Sequence, residues 1–205
     1  MNPAARIVGL YEENAALWDR LRNPGRLFEK PWLDRFLALI PPGGTILDLG
    51  CGPANPIASY FIRSGYAVTG VDSSPSMIAL CQSRHPEGEW RVADMRTLDL
   101  GRRFDAILAW DSFFHLNHHD QRGMFPIFAR HAAPGTALMF TGGPAHGEVL
   151  GEFADEPLYH SSLDPEEYRS RLADAGFSIV ASVLGDPECG DHCIWLAQSP
   201  GQVLV

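Results

Sequence analysis

The chain has 205 residues, of which 45% are hydrophobic and 20% charged, a composition typical of globular proteins rather than disordered ones. Asp and Glu number 25 against 16 Lys and Arg, so the formal net charge is −9. This acid excess argues against a nucleic-acid partner, because nucleic-acid binding depends on clustered Lys and Arg. Lys30 is the only lysine, and without a polybasic run we expect no membrane partner either.

The negative charge is confined to the last third of the sequence. Residues 1–141 carry 14 acids and 14 bases, whereas residues 142–205 carry 11 acids and only Arg169 and Arg171. A solvated acidic surface explains this pattern most simply. If these acids instead border a ligand site, they favour a neutral or cationic ligand over an anionic one.

The four cysteines, Cys51, Cys81, Cys189 and Cys193, are few and irregularly spaced. No signal peptide is recognisable, and no apolar run reaches the roughly 20 residues that span a bilayer. We therefore expect reduced thiols in a soluble, cytoplasmic protein. Cys189, His192 and Cys193 resemble a zinc ligand set, but three ligands within five residues cannot readily surround one ion from an extended strand. We predict no metal site.

Two apolar stripes at helical spacing predict helices within residues 10–40, and Asn23-Pro24-Gly25 predicts the turn between them. The stripes consist of Leu10, Leu17 and Leu21, then Trp32, Phe36, Leu39 and Ile40.

From residue 41 onward, apolar strand-like runs alternate with helix-like segments, which predicts a parallel sheet covered by helices on both faces. Ligands of such sheets bind beyond the carboxyl ends of the strands, where the strand order reverses. The predicted strands are Thr45–Leu49, Tyr66–Val71, Glu89–Ala93, Phe104–Trp110 and Thr136–Thr141. The predicted helices are Pro56–Arg63, Pro75–Arg84 and Gln121–Ala132.

The tail follows a different pattern. Asp164 is the predicted N-cap of a helix that ends at Ala175, with Glu167 completing a capping box. Phe177–Leu184 and His192–Ala197 then read as two antiparallel strands joined by an acidic loop.

A glycine-rich loop, residues 48–55, follows the first strand. A dinucleotide fingerprint needs Gly or Ala three positions after Gly52, where this chain has Asn55, and no Walker sequence occurs. Asp48 would repel a phosphate but attract a cationic group. Asp72 follows the second strand about 20 residues later, where an acid holds ribose hydroxyls. These features fit a nucleoside that carries a cationic tail.

Four ordered motifs within residues 45–141 resemble class I S-adenosylmethionine-dependent methyltransferases. They are Asp48-Leu49-Gly50-Cys51-Gly52, Gly70-Val71-Asp72-Ser73-Ser74-Pro75-Ser76-Met77, Ala93-Asp94-Met95-Arg96, and Phe104-Asp105-Ala106-Ile107 followed by Phe113-Phe114-His115-Leu116. The resemblance implies an α/β fold: a Rossmann-like, doubly wound sheet of seven strands in the order 3-2-1-4-5-7-6, with strand 7 antiparallel. It also implies one domain over residues 1–205, made of a helical lid (1–40), a cofactor-binding core (41–141), and an insertion, last helix and two strands (142–205).

The resemblance implies S-adenosyl-L-methionine as cofactor and S-adenosyl-L-homocysteine as product. Asp72 would accept hydrogen bonds from both ribose hydroxyls, and Asp94 would accept one from the adenine amino group. Asp48 would orient the loop or the amino group of the cofactor. Ala54 stands where many members have a third glycine, a small change. The implied cofactor-binding residues are Asp48, Gly50, Cys51, Gly52, Asp72, Ser73, Met77, Asp94, Met95, Trp110, Asp111 and Ser112.

Methyl transfer is an in-line displacement that depends chiefly on proximity and alignment, and it needs a general base only when the acceptor must lose a proton. The candidates for catalytic roles are His115, next to the expected methyl position, Tyr11, at the position of the family's lid tyrosine, and His160. His160 and Tyr159 lie in an insertion that often builds the acceptor pocket in this superfamily. On an amphipathic helix, however, residues such as Tyr11 and Trp18 are more often simple packing residues.

The remaining histidines have simpler explanations. His118 and His119 read as a solvated loop and helix cap, and His192 as a hydrogen-bonded strand residue. The sequence therefore predicts O- or N-methylation of a small-molecule acceptor. The alternatives are an RNA or protein methyltransferase and a module that binds the cofactor without turnover.

Overall fold

The structure is a computed structural model that describes residues 3–22 and 27–201, so the predicted turn Asn23-Pro24-Gly25 lies outside the described residues. The helices are α1 (Ile7–Glu13), α2 (Ala15–Leu21), α3 (Lys30–Leu37), α4 (Ile57–Arg63), α5 (Pro75–Arg84), α6 (His118–His131) and α7 (Pro165–Asp174). The strands are β1 (Thr45–Leu49), β2 (Ala67–Asp72), β3 (Glu89–Val92), β4 (Phe104–Ala109), β5 (Ala132–Gly142), β6 (Gly147–Phe153), β7 (Glu156–Ser162), β8 (Ser178–Asp186) and β9 (His192–Gln198).

Seven strands form one sheet in the order β3-β2-β1-β4-β5-β9-β8. The first five pair in parallel, and β9 runs antiparallel to both β5 and β8. The order reverses beside β1, so the carboxyl ends of β1 and β4 border a crevice. The predicted doubly wound sheet and its antiparallel last strand are confirmed.

The central strands are apolar because both of their faces are covered. β1 and β4 alternate between two buried clusters, with Ile46 and Ala106 facing one and Leu47 and Ile107 facing the other. Helices α3, α4 and α5 complete the first cluster, and α6 and α7 complete the second. Burial on both sides fixes the register of the strands and therefore the position of the loops at their carboxyl ends.

The lid differs in detail from its predicted form. The first stripe gives two helices because the chain turns at Asn14, where φ is −115°. Leu21 is exposed rather than buried, whereas Trp32 and Phe36 of the second stripe are buried as expected. Ile40 is buried beyond the end of α3.

Residues 142–163 include a two-stranded antiparallel hairpin of β6 and β7, separate from the main sheet. The sequence did not reveal it, because most of β6 is exposed and carries no alternating apolar pattern. Phe153 is the buried residue at its end.

The predicted capping box of α7 forms only in part. The carboxylate of Asp164 accepts a hydrogen bond from the backbone N–H of Glu166 at 2.8 Å, as an N-cap should. Glu167 does not reach back to complete the box, because its carboxylate binds the Arg122 guanidinium at 2.6 and 2.9 Å.

His118 and His119 are the first two residues of α6, and Asn117 is its N-cap, so the predicted solvated loop is wrong. His118 is half-buried, lies 3.1 Å from the carbonyl oxygen of Gly147 and stacks on His146. Within the described ranges, no helix combines the length and the apolar character that a membrane span requires.

Candidate active site

A cavity of about 290 Å³ lies at the carboxyl ends of β1, β2 and β4. Helices α1 and α2 of the lid cover it, whereas α3 packs on the sheet. All twelve residues predicted to bind the cofactor line this cavity, together with Tyr11 and His115. The volume is near the lower end of the range of about 300–1,000 Å³ usual for small-molecule sites.

The glycine loop closes tightly against the neighbouring strands. The backbone N–H groups of Gly50 and Cys51 donate to the carbonyl oxygen of Val71, at 2.7 and 3.1 Å. Gly50 has a φ of +72°, and a Cβ added there would lie 2.3 Å from Cβ of Ser112. Ser112 in turn donates its hydroxyl hydrogen to the carbonyl oxygen of Leu49 at 2.6 Å. Glycine is therefore required at position 50.

The ends of β1 and β2 bring two carboxylates to the cavity. Asp72 accepts from the backbone N–H groups of Gly52 and Ser74, both at 2.9 Å, and burial raises its pKa above the usual value. Asp48 receives no hydrogen bond from the described residues, and burial together with the charge of Asp72 raises its pKa to about 7. A ligand that brings donors or positive charge would relieve both groups.

The opposite end of the cavity carries Asp94, Met95 and Arg96. The Arg96 guanidinium binds both carboxylate oxygens of Asp94, at 2.6 to 3.0 Å, and lowers the pKa of that residue. It also reaches Asp120 of α6 at 3.1 Å. Arg96 and Asp120 line the cavity too. Arg96 belongs to the third motif but was not among the predicted site residues, and no sequence pattern selected Asp120.

Polar contacts fasten the lid over the cavity. Glu12 of α1 accepts from Ser76 at the start of α5, through the backbone N–H at 3.0 Å and the hydroxyl at 2.7 Å, and also from the hydroxyl of Ser74. Asp19 of α2 forms an ion pair with Arg84.

Aromatic rings join the lid to the hairpin. Phe153 of β6 stacks on Tyr11 with 5.5 Å between the ring centroids, and it meets Trp18 edge-on at 5.4 Å. Trp18 lines the cavity, and its Nε1 lies 3.7 Å from where a Cβ of Gly52 would be. The hairpin thus supports two lid rings, and Trp18 covers the glycine loop.

Tyr11 and His115 form a hydrogen-bonded pair in the cavity wall. The Tyr11 hydroxyl lies 3.0 Å from Nε2 of His115, and Nδ1 of His115 lies 2.8 Å from the carbonyl oxygen of Tyr159 in β7. Burial lowers the pKa of His115 to about 4 and raises the pKa of Tyr11. Both residues are therefore uncharged near neutral pH.

At the end of β4, Asp111 has a φ of +48° and donates its backbone N–H to the hydroxyl of Thr141 at 2.9 Å. Its Oδ1 lies 2.8 Å from Nε2 of His192, the first residue of β9, and its Oδ2 lies 4.0 Å from Nη2 of Arg22. Arg22 pairs with the fully buried Glu29 at 2.6 Å. His192 is the hydrogen-bonded strand residue that we expected.

Other predicted site residues lie outside the cavity wall. His160 packs behind His115, with 5.0 Å between the ring centroids, and neither His160 nor Tyr159 lines the cavity. No acid of residues 142–205 lines it either, so the acidic tail does not border the site. Among the described residues, no group of three or more His, Cys, Asp or Glu could hold a metal ion.

Most of the residues that form this cavity also match a known protein family. Residues 46–135, which contain the glycine loop and the acids after β2 and β3, match the protein family described as methyltransferase domain. These residues are a class I methyltransferase domain.

Curated relatives of this methyltransferase domain include a trans-aconitate 2-methyltransferase of Azoarcus sp. (strain BH72), 36% identical over 143 residues, or 68% of this chain and 53% of the relative. A protein of the same name from Escherichia coli O139:H28 is 39% identical over 82 residues, which are 40% of this chain and 32% of the relative. The chain therefore spans about half the length of the first relative and a third of the second.

Solved structures show the same fold. The magnesium protoporphyrin IX methyltransferase of Synechocystis PCC 6803, with S-adenosylmethionine bound, superposes with a TM-score of 0.73 at 18% identity and covers 97% of this chain and 98% of its own. The 1,6-didemethyltoxoflavin-N1-methyltransferase of Burkholderia thailandensis gives a TM-score of 0.72 at 19% identity, covering 97% of this chain and 87% of its own.

Proposed function

We propose that this protein transfers a methyl group from S-adenosylmethionine to a small-molecule acceptor, by O- or N-methylation, and releases S-adenosylhomocysteine. The observation that carries the proposal is that all twelve residues selected from the sequence line one cavity beneath the lid. The names of the curated relatives and the ligands of the solved neighbours support it.

The residues present fit this cofactor. Asp72 is held by two backbone N–H groups, which leaves lone pairs on both oxygens for ribose hydroxyls. Asp48 is a buried carboxylate without a hydrogen-bond partner among the described residues, and it suits the cationic end. Met95 lies beside Asp94 at the far end, where the adenine would sit.

The bound cofactor would supply an electrophilic methyl group on a sulfonium. The contribution of the chain is to align the acceptor and to exclude water. Trp18 lies over the glycine loop and Tyr11 lies beside His115, so the two rings of the lid cover the reactive end. His160 acts through His115 in this arrangement rather than by touching the acceptor.

An RNA or protein substrate fits this geometry less well. Both cations that line the cavity among the described residues, Arg22 and Arg96, are already paired with acids. The lid covers the cavity, and a large substrate would have to displace it. A binding module without turnover would have the same cofactor residues but would not need the Tyr11–His115 pair.

Calorimetry combined with a radiolabel assay tests the proposal. We expect S-adenosylhomocysteine to bind and NAD not to bind. We further expect label from S-adenosyl-[methyl-³H]methionine to enter a small-molecule extract and not bulk RNA or protein. Binding of NAD in place of S-adenosylhomocysteine would refute the cofactor assignment, and binding without transfer to any fraction would favour the non-catalytic module.

A further inference from the structure

The backbone fixes the proton positions at the Tyr11–His115 pair. The carbonyl oxygen of Tyr159 can only accept, so Nδ1 of His115 carries the hydrogen of that 2.8 Å bond. Since the ring is neutral, Nε2 has no hydrogen and can only accept. The Tyr11 hydroxyl must therefore donate to Nε2 across 3.0 Å. The oxygen of Tyr11 is left with lone pairs alone for any further partner.

Asp111 provides a second acceptor at the same end of the cavity. Nδ1 of His192 lies 2.6 Å from the carbonyl oxygen of Cys189, and Nε2 lies 2.8 Å from Oδ1 of Asp111. Both partners only accept, so both ring nitrogens of His192 carry hydrogen and the ring is cationic. The other oxygen, Oδ2, has the Arg22 guanidinium at 4.0 Å, which is beyond hydrogen-bond distance.

Three donors beside Tyr11 and Asp111 are engaged or inaccessible. The hydroxyl hydrogen of Ser112 goes to Leu49, and the backbone N–H of Asp111 goes to Thr141. The indole N–H of Trp110 has no partner among the described residues, but it is buried out of reach of solvent. The charge of Arg22 is balanced by Glu29. Tyr11 and Asp111 therefore face the reactive end as hydrogen-bond acceptors, whereas the indole N–H of Trp18 lies over the glycine loop.

We propose, on the basis of the proposed function, that the methyl acceptor is a primary amine. Its two N–H groups would donate to the oxygen of Tyr11 and to Oδ2 of Asp111, and its lone pair would then point toward the methyl group. A hydroxyl group as the methyl acceptor offers only one hydrogen to these two oxygens. A carboxylate acceptor offers none, and it would face the charge of Asp111.

The transfer balances without a further reagent. The nitrogen lone pair forms the new N–C bond as the S–C bond breaks, and the electron pair of that bond stays on sulfur. The lone pair becomes available because the ammonium form of the amine first passes one proton to Oδ2 of Asp111 and from there to solvent. The product leaves as an N-methylammonium ion. The hydrogen-bond acceptors Tyr11 and Asp111 therefore suit an amine before the transfer and an N-methylammonium ion after it.

A product analysis tests whether the methyl acceptor is an amine, and it does not require that the particular amine be known. The protein is incubated with S-adenosyl-[methyl-³H]methionine and a total small-molecule extract, and the products are separated by cation exchange and treated with base. We expect the label in base-stable products that a cation exchanger retains. Label released by base as volatile methanol would show a methyl ester, and label in uncharged, base-stable products would show an ether. Either result overturns the proposal.

Two variants and an NMR spectrum provide independent tests of the amine proposal. In this proposal Asp111, which the resemblance placed among the cofactor-binding residues, serves the methyl acceptor instead. We therefore expect Tyr11→Phe and Asp111→Asn each to lower transfer about tenfold, the loss for one hydrogen bond, and to leave the Kd of S-adenosylhomocysteine unchanged. Asp174→Asn, at an exposed site, is the matched control. If Asp111→Asn weakens S-adenosylhomocysteine binding about tenfold, Oδ2 serves the cofactor and the proposal fails.

The spectrum does not depend on activity. ¹⁵N-histidine NMR of the wild-type protein should show His115 neutral and protonated on Nδ1. Protonation on Nε2 instead would turn the Tyr11 hydroxyl into a donor toward the cavity and overturn the proposal. If no fraction of the extract is labelled, the proposed function fails, while the spectrum and the S-adenosylhomocysteine affinities still decide the hydrogen-bonding assignment.

Discussion

Glu12 of the lid binds Ser76 at the first turn of α5, through the backbone N–H at 3.0 Å and the hydroxyl at 2.7 Å. The contact lies four residues after Asp72, so the lid is held directly beside the acid proposed to bind the ribose. Hydrogen bonds from Ser74 and Ser76 hold the pKa of Glu12 below its usual range. The contact is therefore present at neutral pH and is lost as the pH falls through that lowered pKa.

Replacement of Glu12 by Gln should loosen the lid. The amide is a weaker acceptor than the carboxylate, so we expect S-adenosylhomocysteine to dissociate several times faster, with little change in overall stability. Stopped-flow dissociation measures this. Glu13→Gln, at the exposed next position, is the control and should match the wild type. Equal rates for the two variants would show that the Glu12 contact does not hold the lid.

Gly50→Ala and Gly123→Ala should have opposite effects on stability. At Gly50 the new methyl group meets Ser112 at 2.3 Å with a φ of +72°, and we expect a loss of about 2 kcal/mol or more. At Gly123, in α6, the space is open and alanine should stabilise the helix by about 0.5–1 kcal/mol. Urea unfolding measures both. A neutral Gly50→Ala would contradict the tight packing of the loop.

Asp72→Ala should weaken the binding of S-adenosylhomocysteine by about 1–3 kcal/mol, because hydrogen bonds to a carboxylate are lost. The variant also removes the acceptor of the Gly52 N–H. Calorimetry provides the measurement, with Asp174→Ala as the exposed control. An unchanged dissociation constant would refute the ribose assignment.

Protonation of His115 should contribute to acid destabilisation. Its pKa is about 4 in the folded protein against 6.5 for the free side chain, so the unfolded state binds more protons between these values. Stability therefore rises with pH through this window. We expect the wild type to lose about 2 kcal/mol from this group between about pH 7.5 and about pH 5. The His115→Gln variant should show a pH dependence shallower by this amount in urea unfolding, and an identical slope would be evidence against a buried neutral ring.

His115→Ala should lower turnover while sparing cofactor affinity, because the ring contacts Tyr11 and not the predicted cofactor residues. Steady-state kinetics and calorimetry on the same preparation separate these two effects. If the variant matches the wild type in both measurements, His115 has no part in the reaction.

Phe153→Ala should act through Tyr11. Removing the buried ring should cost about 3 kcal/mol in urea unfolding and should lower kcat, because Tyr11 loses the ring that it stacks on. Val149→Ala, on the exposed face of the same strand, should change stability by less than about 0.5 kcal/mol.

A double-mutant cycle separates the role of Phe153 from general packing. In a Tyr11→Phe background, Phe153→Ala should cause no further fall in kcat, since the hydroxyl it positions is already absent. Additive losses would instead mean that Phe153 supports the fold and not the hydroxyl.

The sequence predicted those parts of the molecule that depend on neighbouring residues. The apolar run of β1, the glycines that follow it and the acid at the end of β2 all lie within residues 45–72, so a short stretch of sequence is enough to recognise them. The resemblance to known methyltransferases supplied the strand order. The single domain over residues 1–205 and the cytoplasmic location stay predictions.

The features that the sequence did not reveal depend on contacts distant along the chain. Tyr11 and His115 are 104 residues apart, and Asp111 and His192 are 81 apart. No spacing rule connects such pairs. The same reason explains His160, which its position in the insertion favoured for the acceptor pocket but which packs behind His115.

Arg84 of α5 is bound at both ends of its guanidinium. Nη1 donates to the carbonyl oxygen of Pro53 in the glycine loop at 2.8 Å, and Nη2 pairs with Asp19 in the lid. Pro53 lines the cavity, so a ligand that moves the loop also moves the anchor of the lid. One side chain thus ties a wall of the cavity to the helix that covers it.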